Sequence, residues 1–322
     1  MKKELSYLET IKMIDEIKKT FESQIEKRLG LTKVGSPLFV KKSSGLQDDL
    51  TGKEKAVGFT KDEEKFEIVH SLAKWKREAL GKYEFPIYTG LYTDMKAIRK
   101  DEEVDATHSL YVEQWDWEKV IDKSDRTVDY LKETVKSIYK SIRQTSIIMK
   151  QKYHFLTLDL PKTISFITSQ ELEDLYPSLT PKEREELITK EKKAVFIIGI
   201  GDKLKSGISH DLRSPDYDDW SLDGDLLIYD KQLDKALELS SMGIRVDEKS
   251  LVYQLEKSDT MHKLSLPYHQ KIIKKQLPYT IGGGIGQSRL FMLLLEKTHI
   301  AEVQASSWQD KTEKELEHLK ML

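Results

Sequence analysis

The sequence predicts a single α+β domain over residues 1–322, and three kinds of stretch predict it. Residues 4–29 and 126–152 repeat apolar side chains every three or four positions, the period of an amphipathic helix. Leu91 to Arg99 and Leu110 to Trp117 read as a pair of strands joined by a charged loop, KDEEVDATHS. Tyr279 to Glu296, YTIGGGIGQSRLFMLLLE, runs from a β-favouring Thr280-Ile281 pair through four glycines into a helical run, so it reads as strand, glycine turn and helix.

Composition narrows the function classes. No Gly/Ser-rich or Pro-rich linker divides the chain and no segment repeats, which favours one domain. Charged residues make up 34% with a net charge of -2, so a broad electrostatic nucleic-acid footprint is not expected. The absence of cysteine removes disulfides, thiolate catalysis and cysteine metal sites. The opening MKKELSYLE carries Glu4 and Glu9 where a signal peptide needs an apolar run, and no stretch approaches the roughly 18 apolar residues of a membrane span. A cytoplasmic protein with no membrane partner is the expectation. Asparagine is also absent from the whole chain, which chance, genome bias, engineering or scarcity of that amino acid could each produce.

Taken in order, Leu5, Leu8, Ile11, Ile14, Ile17, Phe21, Ile25 and Leu29 form the apolar stripe of the first helix, which Gly30 ends. That stripe is expected to pack on the core or at a dimer contact. Val34 to Val40 is extended, with Pro37 confining it to an edge or a strand start. Gly45 to Gly52 is a polar loop with adjacent carboxylates Asp48 and Asp49; a capped, solvated turn would use the same residues. Residues 66–80 read as a helix closed by Gly81. Its Ser71-Leu-Ala-Lys74 matches the S-x-x-K of penicillin-recognising serine enzymes, but the companion S-D-N and K-T-G elements are missing and the match is rejected.

In the second strand of the hairpin, the period of two puts Gln114 and Asp116 on one face and Trp115 and Trp117 on the other, with Arg99 able to reach the first face. Pro181 opens a helix from its first turn. Ala194 to Gly201 is short and almost wholly apolar, the pattern of a central strand. Ser209 to Asp225 reads as a loop carrying Asp211, Arg213, Asp216, Asp218, Asp219 and Asp225, with Asp225 opening the strand LLIY. A buried carboxylate there needs a cation or donors. Ala236 to Val246 is a further strand, with Glu238 and Arg245 interrupting apolar neighbours.

The glycine stretch bears most directly on function. Glycines 282, 283, 284 and 286 allow backbone conformations closed to other residues and let a flat ligand lie against the chain. Arg289, one turn into the following helix, points a fork-shaped cation back at them. An anionic planar ligand such as a nucleotide fits both features. A tight helix-on-strand turn with Arg289 solvated fits them as well. Neither the dinucleotide fingerprint nor the phosphate-binding P-loop matches.

With Arg99 at a strand-loop-strand, Glu238 in a late strand and GGGIGQSR before a final helix, the chain resembles the catalytic core of class II aminoacyl-tRNA synthetases. That resemblance implies a mainly antiparallel β-sheet flanked by helices. Within this group the chain is similar to the ammonia-dependent asparagine synthetases, or aspartate-ammonia ligases. The runs that carry the similarity are QDDLTG, IVHSLAKWKR, LYTDMKAIR, HSLYVEQWDWE, SPDYDDW, GDLLIY, ELSSMGIRVD and TIGGGIGQSR, in the family's order from Gln47 to Arg289. Two departures stand out: Asp49 occupies a position where the family pattern has asparagine, and the loop from Trp220 to Asp225 reads as shortened.

The resemblance implies an enzyme that makes asparagine from aspartate, ammonia and ATP, with Mg2+, as a homodimer. Arg99 and Arg289 would hold the α- and γ-phosphates over Gly284 and Gly286, and Asp225 and Glu238 would bind the metal. Asp48, Gln114 and Asp116 would face the ammonium end of aspartate, while Ser71, Lys76, Ser241 and Arg245 face its carboxylates. Asp48 and Asp218 are the candidates for capturing ammonium and taking its proton. Two rivals are a synthetase paralogue that transfers aspartate to tRNA or protein, which would want a nucleic-acid-binding domain, and a non-catalytic amino-acid sensor, which has no need of both arginines and both acids.

Overall fold

Ser6 starts the first helix by a reciprocal cap: its hydroxyl accepts the Glu9 N–H at 3.2 Å, and the Glu9 carboxylate accepts the Ser6 N–H at 2.8 Å. The helix, α1 (Tyr7–Leu29), ends where Gly30 turns left-handed at φ 70°. In this computed structural model, residues 4–50 and 54–322 are described; Thr51 and Gly52 of the predicted polar loop lie outside the described residues.

The chain continues through β1 (Leu31–Lys33), β2 (Phe39–Lys41), β3 (Gly58–Lys61), β4 (Glu64–Ile68), α2 (Ala73–Lys82), β5 (Gly90–Ile98), β6 (Tyr111–Val120) and α3 (Val128–Lys152). Then follow β7 (Ser165–Thr168), α4 (Ser169–Leu175), α5 (Pro181–Lys192), β8 (Ala194–Ile198), β9 (Asp218–Asp230) and β10 (Lys235–Arg245). The last elements are α6 (Glu248–Lys257), α7 (Pro267–Ile273), β11 (Thr280–Gly286), α8 (Gln287–Leu295) and α9 (Asp310–Glu315). Among the described residues, no helix is long and apolar enough to cross a membrane.

Eight strands form one sheet in the order β1-β5-β6-β11-β10-β9-β8-β7, and β2-β4-β3 form a small second sheet. Only the rim pairs β1–β5 and β7–β8 are parallel, so the large sheet is mainly antiparallel. One face of it packs on α1, α3 and α8. Phe21, Trp115 and Phe291 meet there with ring centroids 4.6 and 5.8 Å apart, contacts worth about 1 kcal/mol each beyond area burial. The predicted stripe of α1 divides: Ile17, Phe21, Ile25 and Leu29 are buried in this core, whereas Leu8 and Ile11 stay more than half exposed.

Four expectations change. The predicted helix over 66–80 is the end of β4, a connector and then α2, because Phe66 pairs with Phe59 and Lys41 in the small sheet. Leu72 stands just before the helix and gives its N–H to Asp116 at 2.9 Å; Gly81 lies inside the helix, which closes at Tyr83. The predicted loop over 209–225 ends at Tyr217, since β9 already begins at Asp218. Trp220 to Asp225 is therefore strand rather than a shortened covering loop, and Asp225 sits in mid-strand. The strand predicted over 194–201 stops at Ile198, one position in from the sheet rim. Finally, the glycines of 282–286 form a strand, not a turn, and α8 follows β11 directly.

Candidate active site

The second face of the sheet carries charge where the first carries rings. Alternation along β6 sends Trp115 and Trp117 to the core and Gln114, Asp116 and Glu118 to the opposite face. Gly284 pairs with Asp116 and Gly282 with Glu118. None of the glycines from 282 to 286 has a positive φ, so left-handed freedom is not their role. The space above them is. A Cβ on Gly284 would lie 2.8 Å from Asp116 Oδ1 and overlap Gln114, and one on Gly282 would overlap Glu118, whereas at Gly286 the nearest atoms belong to Arg289, 3.7 Å away. The result is a cleft of about 390 Å³, within the roughly 300–1,000 Å³ typical of small-molecule sites.

One end of the cleft gathers paired charges around Lys76. Arg77 anchors α2 to the sheet through the carbonyls of Pro278 at 2.9 Å and Val246 at 2.7 Å. That anchoring aims Lys76 at the Gly283 carbonyl, 3.0 Å away, with Asp116 at 3.4 Å and Glu118 at 3.9 Å. Burial pulls the Lys76 ammonium below its ordinary pKa, and the two carboxylates oppose that pull. Arg245, 1% exposed, holds both oxygens of Glu118 and also binds Asp218. Burial raises the Asp218 carboxyl against the attraction of Arg245. Ser71 donates to Asp48 at 2.6 Å, and Asp48 also accepts the Leu50 N–H at 2.8 Å.

At the other end stand two guanidinium groups. Arg289 bonds the carbonyls of Glu238 at 2.9 Å and Thr107 at 3.3 Å, and among the described residues it forms no ion pair. Arg99 donates to the His70 carbonyl at 3.2 Å and has Glu102 only at 3.9 Å, while its buried Nε has no partner among the described residues. Both keep largely uncompensated charge, and both line the same cleft.

Glu238 and Ser241 stand three positions apart, so a regular strand would set them on opposite faces. A register shift between Glu238 and Ser240 turns both toward the same side. Ser241 then donates to Asp225 at 2.5 Å and to Glu238 at 3.2 Å. The Asp225 carboxyl is raised to about 6 by burial, with Glu238 adding to the shift and Arg213, 2.5 Å away, opposing it. Two crowded carboxylates fit a cation that completes its shell with phosphate and water, as Mg2+ does. Among the described residues, no group of three or more His, Cys, Asp or Glu side chains is arranged to hold a metal alone.

Of the residues predicted from sequence, Asp48, Ser71, Lys76, Arg99, Gln114, Asp116, Asp218, Glu238, Ser241, Arg245, Gly284, Gly286 and Arg289 all line this cleft. Asp225 does not; it lies behind Arg213 and Ser241. The rejected S-x-x-K pair indeed diverges, because Lys74 turns away from Ser71 to Asp216. Sequence reasoning overlooked Glu118, Arg213 and Tyr217. Glu118 was accessible, since it continues the alternation of Gln114 and Asp116. Tyr217, a half-buried phenol pushed well up by desolvation and by Asp48, lies under Arg245 and carries no spacing signal, nor does Arg213.

Comparisons with known proteins bear on the family and the fold. The family model described as aspartate-ammonia ligase matches residues 8–320. An aspartate-ammonia ligase of Clostridium perfringens strain 13 is 58% identical over 309 residues, covering 95% of this chain and 92% of that protein. One from Ligilactobacillus salivarius is 55% identical over 317 residues, covering 97% and 94%. Among solved structures, the asparaginyl-tRNA synthetase of Entamoeba histolytica in complex with asparaginyl-adenylate superposes with a TM-score of 0.63 at 14% identity. That of Pyrococcus horikoshii, also complexed with asparaginyl-adenylate, gives 0.66 at 13%. This chain spans 66% of each of those two synthetase chains, just under two thirds, and the likeness is one of fold.

Proposed function

The chain belongs to the aspartate-ammonia ligase family, and on that premise we propose that it makes L-asparagine from L-aspartate, ammonia and ATP through a β-aspartyl-AMP intermediate, releasing AMP and pyrophosphate. The observation that carries the reading is the meeting, in one cleft, of two carbonyl-bound arginines, Arg99 and Arg289, with the Lys76–Gln114–Asp116 corner.

A carboxylate is a poor acyl donor because oxide is its leaving group, so activation comes first. An oxygen of the aspartate β-carboxylate attacks the α-phosphorus of ATP, and the bond to the β-phosphate breaks. Arg99 and Arg289 offset the repulsion between the two anions and the charge that develops at phosphorus. Glu238, which lines the cleft, would hold Mg2+, with Asp225 joining it once the Arg213 guanidinium moves aside; the ion would add charge neutralisation on the phosphates. Gly286 gives the nucleotide an unobstructed approach to β11, while Gly284 keeps the space beside Gln114 and Asp116 clear where the two substrates meet.

For aspartate itself, Asp48, Gln114 and Asp116 accept from the ammonium group, and Ser71, Lys76, Ser241 and Arg245 face the carboxylates. Arg245 is already engaged by Glu118 and Asp218, so it has only its remaining N–H groups to offer. In the second half-reaction ammonia attacks the acyl carbon and AMP departs. Ammonium prevails at neutral pH, so a carboxylate must bind it and take a proton; Asp48 and Asp218 fill that role.

The chain works as one catalytic domain in the cytoplasm, as a homodimer to which the exposed Leu8 and Ile11 of α1 contribute apolar surface. The deciding assay measures AMP formed from ATP. It should need both aspartate and ammonium, and glutamine should not replace ammonium. AMP formation independent of aspartate would refute the reading.

A further inference from the structure

Behind the cleft lies a second charge cluster, none of whose members, Asp49, Lys74, Asp216, Lys263 and His269, lines the cleft itself. Its centre is Asp216, wholly buried, whose Oδ2 takes Lys74 Nζ at 2.6 Å and His269 Nε2 at 2.9 Å, with Lys263 Nζ at 3.9 Å; its Oδ1 takes the Ser214 hydroxyl at 2.9 Å. Lys74 reaches on to the Gln47 carbonyl at 2.7 Å, and Lys263 to Asp49 at 2.6 Å. Asp216 therefore joins the start of α2, the Ser214–Asp218 segment and α7 with the stretch before it, and Lys74 and Lys263 extend that link to the Gly45–Leu50 loop.

Burying an aspartate and a lysine away from the reaction is expensive unless their geometry is used. Here the geometry has an evident use. Asp49 adjoins Asp48, and Asp216 is two residues from Asp218, so the cluster grips the two chain segments that carry the carboxylates proposed to capture ammonium. The loop is also pressed in place: Gly45 is left-handed at φ 76°, and a Cβ there would lie 2.9 Å from Leu266 and 3.3 Å from His269. On the far side, the Gln47 side chain donates to the Ile68 carbonyl at 2.8 Å and accepts the His70 N–H at 3.1 Å.

We infer that Asp216 and Lys263, with Lys74 and Asp49, are positioning residues for nitrogen capture: they clasp the Asp48 loop to the Ser214–Asp218 segment and so fix the gap between Asp48 and Asp218 that an ammonium ion must bridge. The inference rests on the ligase reading above. Activation depends on the arginines and the glycine strand, which the clasp does not touch. Because Asp48 also meets the ammonium group of aspartate in the proposed reaction, the two effects separate at saturating aspartate, where the clasp bears on the second half-reaction and leaves the first nearly alone.

The test follows two reactions in the full-length enzyme: aspartate-dependent exchange of pyrophosphate into ATP, which reports adenylate formation, and asparagine formation across a series of ammonium concentrations. Lys263→Gln and Asp49→Ala, at the outer rim, should raise the KM for ammonium by about threefold while exchange stays within about twofold, the scale of one partly exposed ion pair. Lys263→Arg and Asp49→Glu, which keep the charge, should restore it. Asp216→Asn should raise the ammonium KM by at least about tenfold, since a buried lysine loses its counter-charge. If exchange and amidation fall in parallel in the rim variants, or the ammonium KM does not move, the clasp has no part in nitrogen capture. Absence of exchange in the unsubstituted enzyme would instead overturn the ligase reading, and the inference with it.

Discussion

Arg245 and Glu118 form their ion pair directly above Gly282, which separates β10 from β6 in the sheet. The Nε and Nη2 of Arg245 meet the Glu118 carboxylate at 2.7–3.1 Å, and a Cβ on Gly282 would lie 2.7 Å from Arg245 Nη2 as well as overlapping Glu118. Gly282→Ala should therefore cost at least about 2 kcal/mol of stability, the scale of a disrupted buried charge pair, read from urea unfolding. Stability equal to the parent would mean that the pair can move aside.

Gly284 and Gly286 distinguish the two substrates of the proposed reaction. At Gly284 a methyl group strikes Gln114 and Asp116, which the proposal sets against the amino acid; at Gly286 it meets nothing closer than 3.7 Å and enters open cleft. Gly284→Ala should raise the KM for aspartate by about tenfold and Gly286→Ala that for ATP by a similar factor, each about 1.4 kcal/mol. Interchanged effects in steady-state kinetics would reverse the assignment of the two ends.

Arg99→Ala and Arg289→Ala should each lower turnover at least a hundredfold, about 2.7 kcal/mol, since in the proposed reaction each supplies a charge-assisted contact to phosphate. Thermal unfolding should change little, because Arg289 gives up only two bonds to carbonyls, at 2.9 and 3.3 Å. Pyrophosphate exchange near the parent rate in either variant would exclude the phosphate role.

Asp48 and Asp218 can be told apart by product. A variant, Asp48→Asn or Asp218→Asn, that still exchanges pyrophosphate but yields no asparagine identifies the carboxylate that takes the ammonium proton. Undiminished amidation in both would remove both from that role.

Acid titration tests the Asp216 network. Burial alone would raise the Asp216 carboxyl, but Lys74, His269 and Lys263 outweigh it and hold the group below its ordinary 3.8. A depressed carboxyl stabilises the fold above the unfolded-state pKa and loses that contribution as pH falls toward the folded one. The stability gap between the parent and Asp216→Asn should stay constant from neutral pH to about pH 4 and narrow below it. A gap that widens in acid would contradict the ion pair.

Much of this was legible in the residues, for reasons that differ by element. The hairpin of β5 and β6 could be read because alternation is local: Trp115 and Trp117 declare one face, and Gln114 and Asp116 the other. The stretch 66–80 could not, since Phe66 follows its partners Phe59 and Lys41 rather than its own neighbours. Nor could the facing of Glu238 and Ser241, which depends on a bulge that no residue type announces. Trp220 to Asp225 looked like a loop because of its aspartates. They are tolerated in a strand because Arg213, at 2.5 Å from Asp225 and 3.4 Å from Asp223, comes from another segment to meet them.

The rims of the large sheet are short: three residues in β1 and four in β7. Such narrow borders offer little for another chain to pair with. They also mean that β8, the wholly buried AVFII, is shielded from solvent on that side by β7 alone. Bare AVFII has the composition of a cross-β segment, so a proline at Phe166 should make the protein precipitate on warming instead of unfolding reversibly.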